Sequence, residues 1–102
     1  MGYMYILECA DRSLYVGSTR DLEHRLAQHQ EGEGAEYTRR RRPVRLLYFE
    51  QFARIADAYL REKQIQNWSR AKRLALVHER AHELPGLSKK SFKPSAEGAR
   101  EE

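Results

Sequence analysis

One cysteine, Cys9, is all that the 102-residue chain contains. It cannot close an intramolecular disulfide, so a cystine framework is excluded and a reducing cytoplasm is the expected location. No apolar run approaches the roughly 20 residues that a membrane-spanning helix needs. The first residues also lack the charged segment and apolar stretch of a secretory signal, so no membrane is expected as partner. Length excludes a second large domain: 102 residues, 40% apolar and 33% charged, fit one small domain with a modest core. The charge excess is small, because nineteen Lys and Arg against fifteen Asp and Glu leave +4. That balance suits an anionic partner and equally suits a solvated surface. The chain has no internal repeat.

What is present comes in short segments. Tyr3 to Glu8 and Ser13 to Ser18 are rich in β-branched, aromatic and apolar residues and flank the turn-forming Cys9-Ala10-Asp11-Arg12, which predicts an antiparallel hairpin. Thr19 or Ser18 can cap a helix with Asp21 and Glu23 in its first turn, running to about Gln30 and ended by Gly32 and Gly34. From Glu31 to Pro43 no period is sustained, and two glycines, a four-arginine run and a proline predict a mobile basic loop. Val44 to Phe52 reads as a largely buried third strand beside the hairpin. The period then becomes helical, with Ile55, Ala58, Tyr59 and Glu62 on a buried face that continues to Ile65. After Asn67 and Trp68, Ser69 can cap a short basic helix burying Leu74 and Val77. Beyond Pro85 the chain is too poor in apolar residues to offset ordering entropy. The expected organisation is therefore a domain over 1–85 and a disordered polar tail over 86–102.

Several residues sit where core residues belong. Leu22, Arg25, Leu26 and His29 follow the i, i+3, i+4, i+7 spacing, so a guanidinium and an imidazole share a face with two leucines. Arg25 can simply cover apolar surface with its stem, and His29 can simply meet the helix dipole or a terminal carbonyl. Glu62 extends an apolar face and needs a partner: either Arg25, in a structural pair, or a hard divalent cation. Tyr5 and Tyr15 have matching strand parities, so both hydroxyls can open onto one face; as strand aromatics they need no further reason. Taken together, the set suits phosphodiester chemistry. It offers a cation for phosphate, a carboxylate for a metal that stabilises an oxyanion, and a phenol or imidazole to move protons.

Tyr3-Met4-Tyr5, Tyr15-Val16-Gly17, Arg25, His29 and Glu62, in that order, resemble the GIY-YIG nuclease domain and in particular its small single-domain bacterial subgroup. Tyr37-Thr38-Arg39, Val44 to Glu50 and Arg61 to Lys72 resemble that subgroup as well. The resemblance implies an α+β fold, a three-stranded antiparallel sheet flanked by helices, and an endonuclease using one divalent metal, Mg2+ or Mn2+. By the resemblance Glu62 would hold the metal and Arg25 would contact the scissile phosphate. Tyr5 would be the general base, with Tyr15 and His29 positioning water or phosphate and assisting proton transfer. A phenol with an ordinary pKa near ~10 is a poor base at neutral pH, so a nearby cation or metal-bound water must favour its ionised form. The chain departs from the family in three places. Its first motif reads Tyr-Met-Tyr, Ser18 replaces a frequent lysine, and Arg73, Leu74 and Ala75 occupy the region of a frequent asparagine.

Arg39, Arg40, Arg41 and Arg42, near Tyr37, can contact a nucleic-acid backbone, with Arg70 and Lys72 as a second basic surface. Neither reads bases. The leading expectation is an endonuclease acting on DNA in preference to RNA, with structure-selective cleavage of a repair or recombination type, or weakly selective cleavage, and a protein partner for targeting. The rival readings are an inactive nucleic-acid-binding module and a protein-interaction adaptor whose basic loop meets an acidic partner.

Overall fold

In the computed structural model, which describes residues 1–80, the continuous apolar run Tyr3-Met4-Tyr5-Ile6-Leu7 becomes the central strand. β1 (Gly2–Glu8) lies between β2 (Leu14–Thr19) and β3 (Arg45–Phe52) in one antiparallel sheet of order β2-β1-β3. Being central, β1 is covered on both faces, and Met4, Tyr5, Ile6 and Leu7 are all buried. The boundary expected at residue 85 and the tail over 86–102 lie outside the described residues. The described residues divide into two units, one over Met1–Trp68 and a second beginning at Ser69.

Register decides what each face carries. Tyr5 pairs with Gly17 and Leu7 with Tyr15, so these four share one face, as the strand parities predict. Met4 pairs with Ser18 and Ile6 with Val16 on the other. Over the first face lies α1 (Leu22–Gln30), whose Leu22 and Leu26 pack with Tyr5, Leu7, Cys9 and Val44. Ala58 and Ile65 are the buried residues of α3 (Ile55–Gln66), which packs on β1 and β2.

The ends of α1 differ from expectation at the first residue. Asp21, not Thr19 or Ser18, is the cap: its carboxylate accepts from the His24 N–H at 3.0 Å. Thr19 is still within β2, and its hydroxyl accepts the Asp21 N–H at 3.1 Å, so it props the cap without being one. At the far end Gly32 adopts φ 84, its N–H donates to His29 O at 3.2 Å, and the Glu33 N–H donates to Gln28 O at 2.8 Å. This pair of bonds is a Schellman stop, which needs the left-handed conformation at that position. Gly34 takes no part in it.

The basic stretch is not without regular structure. It contains α2 (Glu36–Arg39), a four-residue helix too short to show a period in the sequence. The Arg41 carbonyl accepts the Ala10 N–H at 2.8 Å, and Arg42 Nη1 donates to Gln30 O at 3.1 Å. Gln30 in turn brackets Val44, with Oε1 accepting its N–H at 3.1 Å. On α3 the expected inward Tyr59 is 50% exposed, and the Lys63 ammonium lies 5.0 Å from its ring centroid. The inward stripe is Ile55, Ala58, Glu62 and Ile65, which leaves position 59 on the flank. In the second unit α4 (Arg70–Arg80) is capped as expected, with Ser69 Oγ accepting the Lys72 N–H at 3.1 Å. Its buried residues are Leu76 and Val77, whereas Leu74 is partly exposed because the stripe runs through 73, 76 and 77.

Replacing Gly32 by alanine removes a residue that tolerates φ 84. Gly32→Ala is expected to destabilise the protein by about 1 kcal/mol, read as a lower urea midpoint at unchanged slope. An unchanged midpoint would mean that the Schellman stop contributes nothing.

Candidate active site

The i, i+3, i+4, i+7 stripe of α1 lays Leu22 and Leu26 on the sheet, and His29 continues it into the same layer. His29 is 0% exposed. Its ring centroid lies 5.8 Å from that of Tyr5 and 5.3 Å from that of Tyr15, and the two phenol rings are 6.3 Å apart. Tyr5 Oη and His29 Nε2 are hydrogen-bonded at 2.9 Å. On the far side of the ring Nδ1 is bonded to Thr38 Oγ1 at 2.7 Å, and the Thr38 hydroxyl donates to Ala35 O at 3.0 Å. Every polar atom of this buried trio therefore has a partner, and His29 caps no carbonyl with its side chain. Two glycines make the fit. A Cβ on Gly17 would stand 2.5 Å from Tyr5 Oη, and one on Gly34 would overlap His29 Nδ1.

Burial sets the protonation of Tyr5, Tyr15 and His29. It raises the Tyr5 phenol, with Tyr15 adding to the rise and Arg25 opposing it. Tyr15 is raised as well, first by burial and then by the Glu62 charge, again against Arg25. His29 is lowered below 6.5, chiefly by burial and also by Arg25. Both phenols are thus protonated at neutral pH and the imidazole is neutral. The cation that a ready-made Tyr5 phenolate would need is present in Arg25, but desolvation outweighs it. The half-buried Arg25 guanidinium makes no hydrogen bond or ion pair with another described residue, and so it does not pair with Glu62.

Glu62 reaches the site from α3, and its side chain is 12% exposed. Ser18 Oγ donates to Oε1 at 2.6 Å, and Gln66 Nε2 donates to Oε2 at 2.8 Å while also meeting Val16 O at 3.2 Å. Ser18, the residue standing in place of a lysine, thus orients the carboxylate. Lys63 Nζ lies 3.7 Å from Oε2. Neutral donors fix the carboxylate without cancelling its charge. That donor set fits a hard divalent ion that keeps most of its water and takes substrate oxygens, as magnesium does. Among the described residues no group of three or more His, Cys, Asp or Glu could hold a metal.

The arginine run reaches the phenols through Tyr37. Tyr37 stacks on Tyr15 with centroids 6.2 Å apart, and the Arg41 guanidinium lies 3.9 Å from the Tyr37 centroid. Arg39 and Arg40 share the Glu36 carboxylate at 2.6 and 3.1 Å, Arg41 pairs with Asp11 at 3.1 Å, and Arg42 is turned onto backbone carbonyls. Arg70 and Lys72 lie on α4, in the second unit. Tyr5, Tyr15, Arg25 and His29 are brought together, with the Glu62 charge felt at both phenols. Reading residues singly misses Thr38 and Gln66, because a small polar residue in a basic run and a glutamine in a helix carry no pattern of their own.

The family model of the GIY-YIG catalytic domain matches residues 1–75. A UPF0213 protein of Staphylococcus saprophyticus is 47% identical over 77 residues, covering 76% of this chain and 94% of that one. A UPF0213 protein of Haloquadratum walsbyi is 48% identical over 77 residues, covering 76% and 86%. Among solved structures, the solution NMR structure of a UPF0213 protein from Bacillus halodurans is similar with a TM-score of 0.56 and 36% identity. That match covers 91% of this chain and 98% of the other.

A histidine whose folded pKa lies below 6.5 gives the unfolded chain the greater proton affinity. Stability therefore falls as pH drops from about 6.5 towards the folded value and levels off below it. Urea midpoints measured across that window should fall for the natural chain and fall less for His29→Gln. Equal slopes in the two proteins would show that the ring gains its charge within the fold.

Proposed function

The chain belongs to the GIY-YIG family, and from that membership we propose that it is an endonuclease hydrolysing phosphodiester bonds in DNA with a divalent metal. The observation that carries the reading is a guanidinium without a partner among the described residues, Arg25, set beside a hydrogen-bonded phenol and imidazole. A half-buried cation without a counter-ion is well placed to take a ligand that supplies one, and a phosphate does so with bidentate geometry. Arg25 binds the scissile phosphate. The missing side chain at Gly17 makes room for the Tyr5 hydroxyl, towards which the attacking water would approach. Tyr5 and His29 together handle its proton, and the Tyr15 phenol borders the same space. Glu62 would hold magnesium or manganese, which supplies Lewis-acid charge neutralisation at a phosphoryl oxygen when bound.

Selection of the target is by backbone and shape. Arginines on phosphates position a nucleic acid without reading its sequence. A strand laid along the run would exchange the Glu36 carboxylate for phosphates at Arg39 and Arg40, and Tyr37 offers a stacking surface beside Tyr15. Structure-selective cleavage of branched or nicked DNA, with a partner protein bringing the enzyme to its target, accords with this design. Among the described residues no helix is long and apolar enough to cross a membrane.

Labelled branched, nicked and single-stranded DNA and RNA, incubated with magnesium or manganese, test the reading. The natural chain should cut DNA, and Glu62→Gln, Arg25→Ala and Tyr5→Phe should each slow cutting on the order of 10²–10⁴-fold. Absence of cutting on every substrate sinks the enzyme. Salt-sensitive binding would then leave the binding module, and no binding the adaptor. Separately, Glu36→Gln should tighten DNA binding and steepen its salt dependence by about one phosphate contact; an unchanged titration would remove the run from the interface.

A further inference from the structure

Thr38 lies outside the phenols, yet its hydroxyl limits what His29 can do. A threonine hydroxyl has one proton and two acceptor sites. That proton is committed to Ala35 O at 3.0 Å, so towards the ring Thr38 Oγ1 can only accept, at 2.7 Å from His29 Nδ1. Nδ1 must then carry the ring proton. In a neutral imidazole this leaves Nε2 as a lone pair, and the group facing it at 2.9 Å is the Tyr5 hydroxyl. Tyr5 therefore donates.

We propose that Thr38 is a positioning residue that locks His29 in the Nδ1–H tautomer, so that the Tyr5 proton has His29 Nε2 as its destination. The consequence for catalysis rests on the hydrolytic reading above. As the water O–H bond breaks, its proton passes to Tyr5 Oη while the proton of Tyr5 moves to Nε2. The water oxygen forms the new P–O bond, the old P–O bond breaks, and the leaving oxygen takes a proton from solvent. His29, now imidazolium and still donating through Nδ1 to Thr38, returns its extra proton through Tyr5 to water. No free phenolate is required at any stage, which removes the difficulty that burial poses for Tyr5 as a base.

Two further features agree with this assignment. Thr38 is itself 0% exposed, so no water competes for Nδ1. Gly34 brings the backbone against the same edge of the ring, where a Cβ would displace Nδ1 from the hydroxyl. Burial and the nearby Arg25 also keep the imidazole neutral, and only the neutral ring has a lone pair to offer.

At 12.0 kDa the full chain suits direct observation of the ring by long-range proton–nitrogen NMR. The natural protein near neutral pH should show His29 with a protonated Nδ1 and a bare Nε2. Thr38→Val leaves a buried N–H without an acceptor, so the ring should change to the Nε2–H tautomer and donate to Tyr5 instead. Thr38→Ser, which keeps the hydroxyl, should retain the native tautomer. Cleavage should fall on the order of 10–100-fold in Thr38→Val, in kcat with KM little changed, and recover to within about threefold in Thr38→Ser. An Nε2–H ring in the natural protein, or an unmoved tautomer in Thr38→Val, overturns the proposal. If Thr38→Val does not fold, the tautomers of the natural and Thr38→Ser proteins still decide it. A tautomer that switches as expected in a protein that cuts nothing supports the positioning role and overturns only the nuclease reading.

Discussion

A phenol and an imidazole can leave water together only if each satisfies the other, and the bond between Tyr5 and His29 imposes that condition on everything around it. The sheet must present a residue without a side chain opposite Tyr5, and does so at Gly17. The chain leaving α1 must turn back close enough to serve the second ring nitrogen. The Schellman stop at Gly32 begins that return, Gly34 lets the backbone pass under the ring, and α2 delivers Thr38. The short helix in the basic stretch is thus explained less by its own sequence than by the hydrogen bond it completes.

Neighbouring residues of β2 divide the remaining work between the two faces of the sheet. Gly17 faces α1 and makes room for the Tyr5 hydroxyl, whereas Ser18 faces the other way and holds Glu62. Because β2 is an edge strand, the two functions meet at its border. Gln66 serves there twice, orienting the carboxylate and occupying the Val16 carbonyl that an unpaired edge would leave open. A proton-handling half and an anionic half are thereby kept apart by the backbone of one strand, close enough for the Glu62 charge to be felt at both phenols.

The regular parts of this arrangement were legible in the sequence because they follow periods. Strand parity placed Tyr5 and Tyr15 on one face, and helical spacing placed Arg25 and His29 over them. What escaped has no period. The cap of α1 depends on where β2 stops, so Asp21 could not be told from Thr19 by composition. Tyr59 fits the helical stripe as well as Glu62 does, and only the position of the sheet tells which is inward. α2 spans barely one turn. Thr38 is a residue whose importance comes entirely from a side chain nine positions away in the sequence and touching it in space.

The same sequence separations order the assembly of the molecule. The cap bond from His24 to Asp21 closes over 3 residues, whereas Tyr5 meets His29 over 24 and Ser18 meets Glu62 over 44. Closing a longer loop costs more chain entropy, so the hairpin and the helix start can form while neither long-range bond exists. A partly folded chain would carry the motifs and lack the constellation. Because Glu62 comes from α3 while Tyr5 and Tyr15 come from the hairpin, the site is complete only once the long-range contacts of α3 have formed, whatever the amount of secondary structure present.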